Sequence, residues 1–305
     1  MFKNIWEFLL IFVCSNWNIR VWTDSTANWT VLNEICGISY SDRIVGGSRA
    51  SLGQFPWIAH LGIMRRNNYD TFTLSYECGG ALIHPTYVIT AAHCTVDFEE
   101  GEYLAAIKLG EHNLETEIDC ENNECADPLQ IIQTKKIIIP REYDGTILKH
   151  DLAIIELSEP ANITQYVSPI CLPTEVLRRN SLVREIVEVA GWGWFDIDDP
   201  RSSPILQFIM LPVVDIERCR EIKQLKHYNF SMGQICVGGQ AGKDSCNGDS
   251  GGPLVKIFSS KEYGPRYYLF GIVSVGVPSC GKFPLPAVYT NVSHYLPWIY
   301  NNVKI

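Results

Sequence analysis

Ser250 sits in KDSCNGDSGGPL, residues 243–254, between an aspartate and two glycines, with Asp244 upstream in the same stretch. A serine hydroxyl is a poor nucleophile at neutral pH, so a site built on it needs a base within hydrogen-bond reach and a third group to orient that base. The chain offers both at a distance: His93 in TAAHC, residues 90–94, and Asp151 in HDLAIIEL, residues 150–157. Taken singly, a histidine is more often structural or solvated than catalytic. The three together point to acyl transfer. Gly248, Gly251 and Gly252 strengthen the reading, because glycine lets the backbone take positive φ and come close to a ligand.

Gly248 to Gly252 also fits G-x-S-x-G, the strand-to-helix elbow of α/β-hydrolases, in which an acid and then a histidine follow the serine. After Ser250 there is no aspartate, and Glu262 and His294 are the only other candidates. The order here is His, Asp, Ser, and alternating helices are missing, so the elbow reading fails.

The elements that must position these residues read as short strands. WIAHLGI, ALIHPTYVITAA, KKIIIP, LAIIEL, FIMLPVV, GPLVKIF and YYLFGIVSVG are apolar or alternating runs punctuated by Gly, Pro, Asn and Asp. That pattern predicts an all-β sandwich or pair of barrels. SHYLPWIYNNV, residues 293–303, predicts a helix, with Leu296, Ile299, Tyr300 and Val303 at helical spacing and Pro297 tolerated in a first turn.

The chain has 305 residues, 46% of them hydrophobic, enough for a sizeable core, and a net charge of −9 (25 basic against 34 acidic residues). No Lys/Arg stripe is present that could neutralise phosphates, which argues against nucleic-acid partners. Lys3 and the apolar run Phe8 to Cys14 read as a signal peptide over residues 1–15, too short to span a bilayer, so a secreted, extracellular protein without a membrane span is expected. Eleven cysteines less Cys14 in the leader leave ten, an even number that predicts disulfides in an exported chain. Cys120 and Cys125 form the only short pair, without the second pair or histidine cluster that zinc would need. Sequons at Asn28, Asn162, Asn229 and Asn291 fit the secretory route as glycosylation sites.

TAAHC, DLAIIEL and GDSGGP, in this order, resemble the chymotrypsin/trypsin family of secreted serine endopeptidases from Ile44 to about Val303. The resemblance implies two packed six-stranded antiparallel β-barrels, with the C-terminal helix, around an interbarrel cleft. It implies that His93 is the base, Asp151 its orienter, Ser250 the nucleophile, and the amides of Gly248 and Ser250 the oxyanion hole. Asp244 falls where trypsin-like members keep the carboxylate that binds a substrate Arg or Lys, with Ser274, Gly276 and Ala287 also lining the substrate site. Two departures stand out: Val275 replaces the usual tryptophan, so the wall of the next subsites should be less bulky, and Ala287 replaces a pocket-wall glycine, so the slot should be narrower. Pro286 argues against sodium dependence.

RIVGG, residues 43–47, resembles the family's activation site, with cleavage between Arg43 and Ile44 freeing an amine that pairs with Asp249. Residues 16–43 would be a short light chain and residues 44–305 the protease domain, activated by an upstream protease, acting on proteins or peptides and controlled by serpin-type inhibitors. The resemblance also implies the bridges Cys36–Cys171, Cys78–Cys94, Cys219–Cys236 and Cys246–Cys280, leaving Cys120–Cys125 as a local fifth. That local bridge resembles the extra disulfide of arthropod haemolymph and venom proteases that carry a clip domain, although the region before Ile44 lacks the six cysteines of a clip. No cofactor is required; Glu111, with Glu115, Glu117, Asp119, Glu121 and Glu124, forms an oxygen-rich loop that could take calcium, the bland alternative being a solvated acidic loop. The competing function is a catalytically silent family member that binds a partner, but no triad residue is lost.

Overall fold

A computed structural model of the chain describes residues 32, 34–40, 49–66, 71–96, 98–194, 202–226, 228, 230–242, 244–246, 248–276 and 283–304. The leader, Asn28, Arg43, Ile44, Asn229 and Cys280 lie outside those residues.

The apolar runs become strands. In chain order these are β1 (Ile58–Arg66), β2 (Phe72–His84), β3 (Tyr87–Thr90), β4 (Tyr103–Leu109), the short pair β5 (Cys120–Glu121) and β6 (Glu124–Cys125), β7 (Gln130–Ile138) and β8 (Ala153–Leu157). The order β1-β2-β3-β8-β7-β4 closes an antiparallel barrel, while β5 and β6 stand apart as a hairpin. A second barrel is formed by β9 (Ile186–Gly191), β10 (Gln207–Val214), β11 (Gln234–Gly238), β12 (Pro253–Ser260), β13 (Gly264–Val275) and β14 (Pro286–Asn291), in the order β10-β11-β14-β13-β12-β9. Closure removes the unpaired edges an open sheet would leave. The expected pair of six-stranded barrels is therefore the observed fold.

YVIT in β3 is buried at every position, which explains why its residues run apolar instead of alternating. Trp57, Leu61, Leu82, Ile89, Ile107 and Ile154 fill the first barrel, each fully buried. Their cluster continues through Tyr267 and Leu269 of β13 to Val292, Leu296 and Ile299 of the C-terminal helix. Each such side chain contributes roughly 2 kcal/mol by leaving water.

The C-terminal helix runs Val292–Asn302. Pro297 lies inside it and not in its first turn, so the helix forgoes the bond that the amide of residue 297 would make to the Ser293 carbonyl. Tyr300 is 42% exposed, so the buried face is carried by Val292, Tyr295, Leu296 and Ile299.

The segment around Cys36 is fixed by more than its bridge to Cys171. The amide of Gly37 donates to the Pro169 carbonyl at 2.8 Å, the Gly37 carbonyl accepts from Tyr267 N–H at 2.9 Å, and the Ser168 hydroxyl donates to the Ile35 carbonyl at 3.1 Å.

Candidate active site

β3 delivers His93 into a tight 3-10 turn, Ala92–Cys94, which the Cys78–Cys94 disulfide fastens to β2. Asp151 stands just before β8, at the end of a segment where Leu148 (φ 44°) and His150 (φ 55°) are left-handed. That conformation costs a non-glycine residue about 1 kcal/mol or more and persists only where the surroundings enforce it. Here Asp144 and Lys149 exchange backbone hydrogen bonds, and the Tyr295 hydroxyl lies 2.9 Å from His150 Nδ1.

The two side chains meet. Asp151 is 1% exposed, and its Oδ2 lies 2.8 Å from His93 Nδ1. Oδ1 accepts from the His93 amide at 3.0 Å, and Oδ2 also accepts from the Ser274 hydroxyl at 2.6 Å. Because an ionised carboxylate only accepts, this contact puts the ring proton on Nδ1 and leaves the lone pair on Nε2. Ser274, expected on the substrate wall, thus turns its hydroxyl onto Asp151. Thr290, which sequence reasoning missed, donates its hydroxyl to the Asp151 carbonyl at 2.6 Å. The signal was a polar residue in an otherwise apolar buried strand, PAVYT.

Ser250 comes to the same corner from the second barrel. Its carbonyl accepts from Gly79 N–H at 2.8 Å, next to Cys78 in β2. A ring nitrogen of His93 and the sulfurs of Cys78 and Cys94 lie within 4.8 Å of one another. With both sulfurs oxidised into a disulfide this is no metal centre, yet it sets the imidazole beside the strand that holds the serine. Gly251 has φ +76°, and a Cβ there would stand 2.1 Å from Thr90 Oγ1 and 2.5 Å from the Gly79 carbonyl, so the close approach demands glycine. Gly252 differs from expectation: its φ is not positive, and its requirement is space, since a Cβ would lie 2.8 Å from the Asp249 carbonyl.

Asp249 points away from solvent into the second barrel's loops. Its Oδ1 accepts from Gly193 N–H at 2.9 Å and its Oδ2 from Cys246 N–H at 2.8 Å. Although part of the residue's surface is accessible, burial pushes its carboxyl up to about 6 against the pull of these two amides. Asp244 lies nearby. The ionisation of buried Tyr289 is pushed up first by burial and then by Asp244, with Asp249 adding to it, so both acids gather about one phenol. The Tyr289 hydroxyl lies 2.8 Å from the Ser245 hydroxyl. Gly276 and Ala287 face each other, since a Cβ on Gly276 would stand 3.9 Å from that of Ala287.

Bridges join Cys36–Cys171, Cys78–Cys94, Cys120–Cys125 and Cys219–Cys236. Cys246 is also disulfide-bonded. In the acidic loop Glu111 and Asp119 are buried, not solvated. Asn162 is exposed, whereas the Asn291 amide donates to the Met232 carbonyl at 2.9 Å.

Known proteins agree with this arrangement. The family model for trypsin matches residues 44–299. The CLIP domain-containing serine protease HP8 of Bombyx mori is 37% identical over 92% of this chain and 75% of its own length. The Spaetzle-processing enzyme of Drosophila melanogaster is 35% identical over 88% of this chain and 68% of its own. Among solved structures, the Drosophila Grass clip serine protease of the Toll pathway superposes with a TM-score of 0.73 at 34% identity, over 88% of this chain and 74% of that one. The paired barrels, the interbarrel histidine and aspartate, and these matches over most of the sequence lead to one assignment: the chain belongs to the trypsin family and is a serine endopeptidase.

Proposed function

We propose that this protease is a secreted zymogen in which residues 1–15 are a signal peptide, residues 16–43 a light chain and residues 44–305 the catalytic domain. Ser250 Oγ attacks the scissile carbonyl while His93 Nε2 takes the hydroxyl proton and passes it to the leaving amine. The peptide C–N bond breaks, and an ester to Ser250 remains. Water then attacks that ester with His93 again as base, freeing the acid and restoring the hydroxyl. Asp151 holds the imidazole in the useful tautomer, and the amides of Gly248 and Ser250 receive the developing oxyanion. The observation that carries this reading is the 2.8 Å contact between His93 Nδ1 and the buried Asp151 carboxylate.

Cleavage after Arg or Lys is supported by Asp244, a half-buried carboxylate whose charge acts on the buried Tyr289 phenol of β14. Activation between Arg43 and Ile44 is supported by Asp249, whose described partners are backbone amides alone. A new α-amino group would turn a disfavoured buried acid into an ion pair. The upstream activator would then need trypsin-like specificity, and Cys36–Cys171 would keep the light chain attached. Relatives named a phenoloxidase-activating enzyme and a Spaetzle-processing enzyme favour limited proteolysis of another protein in an extracellular cascade, open to serpin-type control. Among the described sequons, Asn162 is the one we assign to glycosylation.

Trypsin treatment followed by a fluorophosphonate probe tests the mechanism. Ser250 should be labelled only after cleavage at Arg43, and Ser250→Ala should abolish labelling; an unlabelled wild type after verified cleavage would refute it. On a peptide panel, preference for an apolar residue over Arg or Lys would remove Asp244 from the pocket.

A further inference from the structure

We infer that Lys108 is a positioning residue for the oxyanion segment: it is the built-in counter-ion of the loop 110–125, in place of an external cation, and it couples that loop to Trp192 and Gly193. The inference rests on the serine-protease mechanism proposed above.

Calcium does not fit this loop. Calcium takes about six to eight oxygens from carboxylates, carbonyls and waters free to turn towards it. The Glu111 side chain is 2% exposed, with Oε2 3.0 Å from Lys108 Nζ, and its Oε1 accepts from His112 N–H at 3.1 Å. Asp119 takes the amides of His112 at 2.8 Å and Asn113 at 3.1 Å and the Thr116 hydroxyl at 2.5 Å. Glu121 accepts from Leu52 N–H at 2.8 Å. Each of these carboxylates is held by a donor of the protein, and the ammonium beside Glu111 would repel a divalent ion.

Two routes run from Lys108 to the segment that holds Asp249. One is a column of rings: Lys108 Nζ stands 4.2 Å over the Tyr76 ring, Tyr76 lies 5.1 Å from His60, and His60 stacks on Trp192 at 4.9 Å and 15°. Burial and then Lys108 push His60 down to about 4, so it joins the column uncharged. The other is polar: Glu111 and Asp119 fix the backbone of His112, whose carbonyl accepts from Trp192 Nε1 at 3.2 Å and from Leu206 N–H at 2.8 Å. Both routes end on Trp192, and the next residue, Gly193, donates to Asp249. Removing the ammonium would strand a buried carboxylate and uncap the ring column at once.

The test compares the trypsin-cut wild type with Lys108→Met and Lys108→Arg. Lys108→Met should react with the fluorophosphonate roughly tenfold more slowly or worse, a fraction of the loss expected for a missing oxyanion donor. The loss should fall on kcat with KM little changed, and Lys108→Arg should recover most of it. The melting temperature of the wild type should be the same in EDTA and in millimolar calcium. A folded Lys108→Met that labels at the wild-type rate, or a wild type that melts higher in calcium, overturns the inference. Should Lys108→Met fail to fold, Glu111→Gln breaks the same pair and must slow labelling in the same direction. An unlabelled wild type would instead count against the mechanism itself, so the two failures are distinguishable.

Discussion

Asp249 is an acid whose surroundings suit neither ionisation nor removal, because two amides favour its charge while burial opposes it more strongly. Its folded pKa of about 6 lies above the ordinary 3.8, so the folded state binds this proton more tightly than the unfolded chain does. The resulting stability is complete below the unfolded pKa and is lost as pH rises through about 6. Uncleaved protein should therefore lose up to about 3 kcal/mol from this group between pH 4 and pH 7. Asp249→Asn should flatten that slope in urea unfolding; an identical slope in both proteins would contradict the assignment. If, as proposed, cleavage before Ile44 brings an amine beside the carboxyl, that amine would lower its pKa and reverse the sign, so the same variant should then destabilise the protein at neutral pH. At this scale the sequence was informative wherever a residue's chemistry is unusual for its neighbours. GDSGGP and TAAHC are legible for that reason. What it hid was double use: Ser274 reads as a wall residue, yet its hydroxyl is on Asp151, a contact spanning 123 positions that no local pattern encodes.

The C-terminal helix exposes what elements reveal and conceal. Its apolar spacing was legible and so, to within one residue, were its ends, although β14 runs straight into it and Asn291 at the N-cap offers no side-chain cap hydrogen bond. Counted from the expected or the observed start, Pro297 lies beyond the first turn, so the tolerance expected for it there does not hold. The acidic loop was legible only in part: Glu115, Glu117 and Glu124 are exposed as a solvated loop would have them, whereas Glu111 and Asp119 are buried and Glu111 pairs with Lys108 of the preceding strand. Because Pro297 sits in an ordinary helical position and is itself exposed, the helix forgoes a bond it could make. Pro297→Ala should restore the amide and stabilise the protein by roughly 1 to 3 kcal/mol. A melting temperature that stays level or falls would mean that the proline ring packs to an advantage unrelated to the helix.

For the whole molecule, strand pattern left a sandwich or a pair of barrels open, and the choice of two six-stranded barrels followed from family resemblance, since apolar runs do not specify which strands pair. Beside the apolar cluster that the barrels share, hydrogen bonds between them also build the site. Ser274 and Thr290 of the second barrel reach Asp151 ahead of β8, and Gly79 of the first reaches the Ser250 carbonyl. Barrel docking and the geometry of the proposed site are therefore coupled. Thr290→Val keeps the side chain's shape while removing the hydroxyl that satisfies the buried Asp151 carbonyl, at a cost of about 1 to 3 kcal/mol. Because that carbonyl belongs to the residue that orients His93, stability and kcat should fall together while KM for a peptide substrate holds. Calorimetry should find one cooperative transition at a lower temperature in the variant. Two separate transitions, or a loss of stability with kcat intact, would mean that the barrels dock through their apolar faces alone and that the Thr290 bond is incidental to the site.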